Sequence, residues 1–278
     1  MTDPIHFFVH VPKCAGTTVE THFRRTLGPG GFALAPRWKN PLRDVIGNRA
    51  ALPADVVAKG RVLSGHSLAR SMARFYPGRV LRQSVLLRDP VGWHVSFYNY
   101  RLWRAVDRGD PTPPRFETWL RAQRRNPIAR FLLMRYFEIG YPGIYRMSSR
   151  ARFQFLEGAL AGFHFVGGHQ RCDEAVAGIS RDLGVDDHVK PHNVGGGRDV
   201  PGEVRAKDLP IALRTQIEKM HAVDALLHRR WKDRGWGHDC PAGAPAGGDA
   251  AALSLPDDDR MIYLRSDVET LWRKKSWR

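Results

Sequence analysis

Three apolar runs, each closed by a polar turn and followed by a helical pattern, constrain the fold of this chain most. The first is Ile5, Phe7, Phe8, Val9 and Val11, ended by Pro12; the second is Gln83 to Leu87; the third is Phe163 to Gly168. Short β-branched and aromatic runs alternating with helices predict an α/β domain around a mainly parallel sheet. A further run, Arg61 to Ser64, predicts another strand that ends at Gly65-His66. In sheets of this kind ligands bind outside the carboxyl ends of the strands, where the connecting loops gather.

The loop after the first run reads Pro12-Lys13-Cys14-Ala15-Gly16-Thr17-Thr18 and leads into a helix. Amide N–H groups at a helix start have no intrahelical partner, and the helix dipole adds positive potential there. Gly16 lets the backbone approach an anion, and Lys13 adds a full charge, so a phosphate-like or sulfate-like group is expected here. The lysine precedes the glycine, so the nucleotide-kinase pattern G-x-x-x-x-G-K-[ST] fails. A phosphatase-type loop needs an arginine six residues after Cys14, where this chain has Glu20. Cys14 reads as a small loop residue and not as a nucleophile, since no histidine partner is identifiable.

The second run ends in Arg88-Asp89-Pro90, with Asp89 suited to a helix N-cap and Pro90 to the first helical position. The helix that follows carries Trp93, Phe97, Tyr100 and Trp103, with Ser96 in its second turn. An arginine fork with a nearby hydroxyl suits a second phosphate. The alternative is that Arg88 pairs with Asp89 and Ser96 is simply solvated.

Taken together, the two segments resemble the sulfotransferases that use 3′-phosphoadenosine 5′-phosphosulfate. They are nearest to the carbohydrate branch, whose first loop reads H-x-P-K-x-x-G-T-[ST]. The resemblance implies a P-loop-like three-layer fold with a central, mainly parallel sheet flanked by helices. It also implies that Pro12, Lys13, Cys14, Ala15, Gly16, Thr17 and Thr18 hold the 5′-phosphosulfate, and that Arg88 and Ser96 hold the 3′-phosphate. A strand–helix pair, Phe163 to Gly168 then Asp173 to Leu183 capped by Gly184, precedes a glycine loop, His192 to Gly197; there Asn193 is the expected donor contact. A closing helix, Leu213 to Trp231, is similar as well, so the likeness spans residues 5 to 237. Gly168-His169-Gln170-Arg171 departs from the family's pattern after its third strand.

Sulfuryl transfer needs cations on the leaving group, an acceptor hydroxyl in line and a base. Lys13 is the candidate for charge on the bridging oxygen, with the amides of Cys14 to Thr18 on the non-bridging oxygens. His66 follows a strand, sits at the carboxyl edge and titrates near neutrality, which makes it the candidate base. Its alternative is a loop histidine bonded to a backbone carbonyl; His169 and then Glu20 are the next candidates for the base. Asn126 and Arg130 are candidate acceptor contacts; Trp103 and Trp119 are candidate sugar platforms, with core packing the expected job of most of the eight tryptophans. No metal is implied: the donor lacks a triphosphate, and His188 and His192 are separated by Pro191, which breaks a shared helical face.

The net charge is +16 over 278 residues. Half of it lies between Arg101 and Arg152, where twelve arginines face four acids. Such a region attracts anions and suits an acidic glycan or nucleic acid alike, the alternative being an arginine-rich solvated surface; with the resemblance, the expected partner is a glycan or other hydroxyl-bearing acceptor and not nucleic acid. The organisation expected is a domain over 1–238, an Ala/Gly/Pro/Asp-rich linker over 239–259 and a basic helical segment over 260–278, the only part suited to membrane docking. No apolar run approaches the ~20 residues that span a bilayer. Three cysteines far apart give no disulfide framework, which fits a reducing cytoplasm. Two other classes remain open: a P-loop-like phosphotransferase using a nucleoside triphosphate, and a non-catalytic binder of polyanions or nucleic acid.

Overall fold

The computed structural model describes residues 4–36, 52–189 and 200–236. Six strands form one sheet: β1 (Ile5–Val9), β2 (Phe32–Leu34), β3 (Val62–Gly65), β4 (Leu81–Leu87), β5 (Phe165–Gly168) and β6 (Gly235–Trp236). Their spatial order is β2-β3-β1-β4-β5-β6. The first five pair in parallel, and β6 runs antiparallel to β5. The chain is thus an α/β protein with a mostly parallel sheet flanked by helices, as its alternating runs require.

β1 is buried at all five positions because β3 and β4 flank it and helices cover the sheet. A strand covered on both faces is apolar throughout, which is why Ile5 to Val9 reads as a run and not as an alternation. From β1 the chain crosses to β2 on one side, whereas β4 leads to β5 on the other. The loops after β1 and β4 therefore diverge, leaving a crevice between neighbouring strands at their carboxyl ends.

Two local expectations hold for capping reasons. Asp89 Oδ1 accepts the Gly92 N–H at 2.7 Å with Pro90 at the first position of the Pro90–Arg108 helix. Gly184 closes the Cys172–Leu183 helix at φ 62°, in the left-handed region that glycine enters without penalty.

The closing helix is not the single Leu213–Trp231 rod expected. It divides into Ile211–Met220 and Ala222–Trp231 at His221, whose φ of −119° and ψ of 43° are non-helical. The cause is an exchange of caps between distant helices. Asn126 Oδ1 accepts from Val223 N and Asp224 N, while Asp224 accepts from Ile128 N at 3.0 Å and Ala129 N at 2.8 Å. The Asn126 N–H donates to His221 Nδ1 at 3.0 Å, which fixes the break. Burial pushes the Asp224 carboxyl up to about 7, against the two amide donors that favour its charged form.

Among the described residues no helix is long and apolar enough to cross a membrane. The linker 239–259, the segment 260–278 and Asn193 lie outside the described residues.

Candidate functional site

The loop between β1 and the Gly16–Gly31 helix is bent by two residues with left-handed backbone, Lys13 at φ 65° and Ala15 at φ 63°. Each conformation costs an L-residue about 1–2 kcal/mol, and such strain collects at functional sites. Its carbonyls are held from outside: Trp93 Nε1 donates to Pro12 O at 2.8 Å, and Arg88 Nη1 donates to Lys13 O at 3.1 Å. The helix begins at Gly16 with Ala15 as cap residue, which offers no side-chain cap. The turn is of the kind that presents N–H groups together to an anion.

Gly16 also has a packing reason. A Cβ there would stand 2.0 Å from Cδ2 of His10, so the glycine makes room for an imidazole. Thr18 is buried and Thr17 exposed. Cys14 is 1% exposed and burial pushes its thiol up, which removes it as a nucleophile.

Arg88 does not spend itself on Asp89, whose carboxylate caps the helix. Its Nη1 ties the Lys13 carbonyl, and its Nε is buried with no hydrogen-bond partner. A Cβ on Gly92 would lie 3.1 Å from that Nε, so the guanidinium crosses the first turn of the helix against a glycine. Gly92, Ser96 and Tyr100 follow at four-residue spacing and share one helix face. At the far end of this line the Lys13 Nζ rests 4.4 Å from the centre of the Tyr100 ring. Arg88 thus lies against Gly92 and Lys13 against Tyr100, on the helix face that also bears Ser96. Burial, then the Arg88 charge, lowers the Lys13 pKa, opposed by Cys14.

His66 follows β3 directly and is exposed. Its Nδ1 donates to the His10 carbonyl at 2.8 Å, which leaves the lone pair of the neutral ring on Nε2. The carbonyl bond anticipated as the alternative to catalysis is thus present, and it orients the ring without consuming the basic nitrogen. The His10 and His66 rings meet at a 45° tilt with centroids 4.1 Å apart, and His10 Nδ1 pairs with Glu20 Oε1 at 2.8 Å. Ser64 Oγ donates to the same Glu20 oxygen at 2.8 Å. His169 follows β5 beside Arg88; burial, then Arg88, pushes its imidazole down to about 4, which makes it the poorer base.

Three of the expected contacts are buried. Asn126 is 2% exposed and caps the Ala222–Trp231 helix, so its amide cannot reach an acceptor. Arg130 is buried with its guanidinium over the Tyr141 ring at 5.9 Å. Trp119 packs in a core with Tyr98 and Phe116, which rules it out as an open sugar platform. Arg152, one of the twelve arginines of the basic stretch, is 1% exposed and donates to Ile144 O, so that charge is not all surface.

His10 joins this cluster and was passed over in the sequence reading, although it supplies the histidine of H-x-P-K. Among the described residues no group of three or more His, Cys, Asp or Glu side chains could hold a metal ion. Compared with protein-family models and with curated proteins, the chain matches none.

Proposed function

We propose that this chain is a sulfotransferase with a P-loop-like fold, moving a sulfuryl group from 3′-phosphoadenosine 5′-phosphosulfate to a hydroxyl of a saccharide or glycan-like acceptor. One observation carries the reading: two separate cationic grips, Lys13 with its strained loop and Arg88 against Gly92, stand at the two ends of a helix face that bears Ser96. A nucleotide with anionic groups at its 3′ and 5′ positions needs two such grips at one rim of the sheet. The buried, unpartnered Nε of Arg88 fits an anion, because an orphaned buried donor is costly without one.

The donor brings a sulfuryl group already activated by its phosphate leaving group. Lys13 and the loop amides offset negative charge on the oxygens at that end, in a site that gains from partial exclusion of water. Arg88 and Ser96 hold the 3′-phosphate. His66 Nε2 takes the proton as the acceptor hydroxyl attacks, and its Nδ1–H bond to His10 O keeps the ring turned for the task.

Thermal-shift measurement tests the reading. 3′,5′-Bisphosphoadenosine without metal at about 100 times its Kd stabilises the native state by roughly 2.7 kcal/mol, raising Tm by roughly 5–10 °C. Greater stabilisation by ATP with Mg²⁺, or none by the bisphosphate, overturns it.

A further inference from the structure

Glu20, His10 and His66 come from the first helix, the end of β1 and the end of β3, and meet at the same rim. Glu20 Oε1 takes the Ser64 hydroxyl at 2.8 Å and faces His10 Nδ1 at 2.8 Å. His10 has no freedom to turn: it is 6% exposed, and its ring edge lies where a Gly16 side chain would be. Its ring face carries His66 at 4.1 Å, and its carbonyl accepts the His66 Nδ1–H at 2.8 Å. One residue thus grips the carboxylate with its side chain and the exposed histidine with its backbone.

We propose that Glu20 is a positioning residue that acts through His10 on His66, so that the three side chains form one proton-accepting unit. The inference rests on His66 being the base and names what prepares it.

The physical reason is charge. A proton that leaves the acceptor oxygen and arrives at His66 Nε2 creates an imidazolium in contact with a second imidazole. A carboxylate on the far edge of that second ring offsets the new charge, and a neutral group of the same shape does not. Burial pushes the Glu20 carboxyl up, yet the hydrogen bonds from His10 and Ser64 with the charges of His10 and His66 outweigh it, so the group stays ionised. Phe131 meets His66 edge-on at 6.2 Å and brings no charge.

Glu20→Gln keeps the shape and the acceptor oxygen and removes the charge. NMR titration of His66 in the protein without donor or acceptor is the measurement. The His66 midpoint is expected to move to lower pH in Glu20→Gln, and an unmoved midpoint overturns the proposal. Where Glu20→Gln does not fold, His10→Asn serves: it keeps a donor toward Glu20 and removes the second ring, and an unmoved midpoint again overturns it. In transfer assays kcat of Glu20→Gln falls about tenfold to hundredfold, with the pH profile displaced and KM little changed. The titration needs no nucleotide, so a chain that fails to bind 3′,5′-bisphosphoadenosine yet shows the shift defeats the functional reading and leaves this unit standing.

Discussion

Two clusters at opposite ends of the sheet contain the same ingredients, one carboxylate and two histidines, and they differ in what they can do. At the amino-terminal end Asp182 faces His164 Nε2 at 3.3 Å and His6 Nε2 at 3.7 Å, but Arg82 Nη1 holds the same oxygen at 2.5 Å. His6 is fully buried, and desolvation pushes it down to about 3 despite Asp182. At the carboxyl end none of the arginines among the described residues is seated on Glu20, and the outer histidine, His66, is exposed. An arginine fork and deep burial turn an acid–histidine cluster into a clasp; exposure and a second imidazole leave one able to exchange protons. The teaching is that residue types set the possibilities, and that burial with the choice of cation decides among them.

Substitutions at the two ends test that contrast. Lys13→Ala is expected to cost the most, about 10²–10³-fold in transfer with little change in Tm, read by steady-state assay beside thermal melting. His66→Ala follows at about 10²-fold, again without loss of stability. If His66→Ala transfers as well as the parent, the carboxyl-end cluster has no more chemical role than its counterpart, and if Lys13→Ala does, the donor loop has none. Gly16→Ala drives a methyl into the His10 ring and is expected to lower stability by about 1–3 kcal/mol while releasing His66, visible as a broadened or displaced His66 resonance.

Acid reports on the buried histidines. In the unfolded chain these imidazoles take up protons near 6.5, whereas His6 does so only near 3 and His94 near 4 in the fold. Between those values the unfolded state binds more protons, so stability is complete above about 6.5 and falls as pH drops. The slope is about 1.4 kcal/mol per pH unit for each histidine. His6→Gln should flatten the dependence of Tm on pH; an unchanged slope would show that His6 is not sequestered. The smallest effect is expected from Asp182→Asn, which loosens a partly exposed clasp: about 1 kcal/mol of stability and no change in transfer.

Much of this arrangement is written locally. The run Ile5 to Val9 and the run ending at Leu87 announce buried strands, and Asp89-Pro90 announces a helix start, since capping chemistry acts within four residues. Asn126-Pro127 carried the same kind of signal and favoured a helix terminus over a substrate contact. What the dipeptide does not contain is that its amide caps a helix almost a hundred residues onward, at Val223. His10 and Glu20 stand ten residues apart across a strained loop, a spacing with no helical or strand period to betray it. β2 and β6 are three and two residues long, too short for a pattern to appear.

The amino-acid sequence by itself determined the alternation of strands and helices, the two loops where an anion would be met, and the caps that start the helices after them. These follow from periods and hydrogen bonds that close within a turn or two of chain. Only the tertiary structure decided the partners: Ser64 with Glu20 across 44 positions, His66 with His10 across 56 and Arg88 with Lys13 across 75. Such pairs depend on strand order, and the order that sets β3 and β4 on either side of β1 is a property of the packed sheet, where burial of every apolar run is satisfied at once.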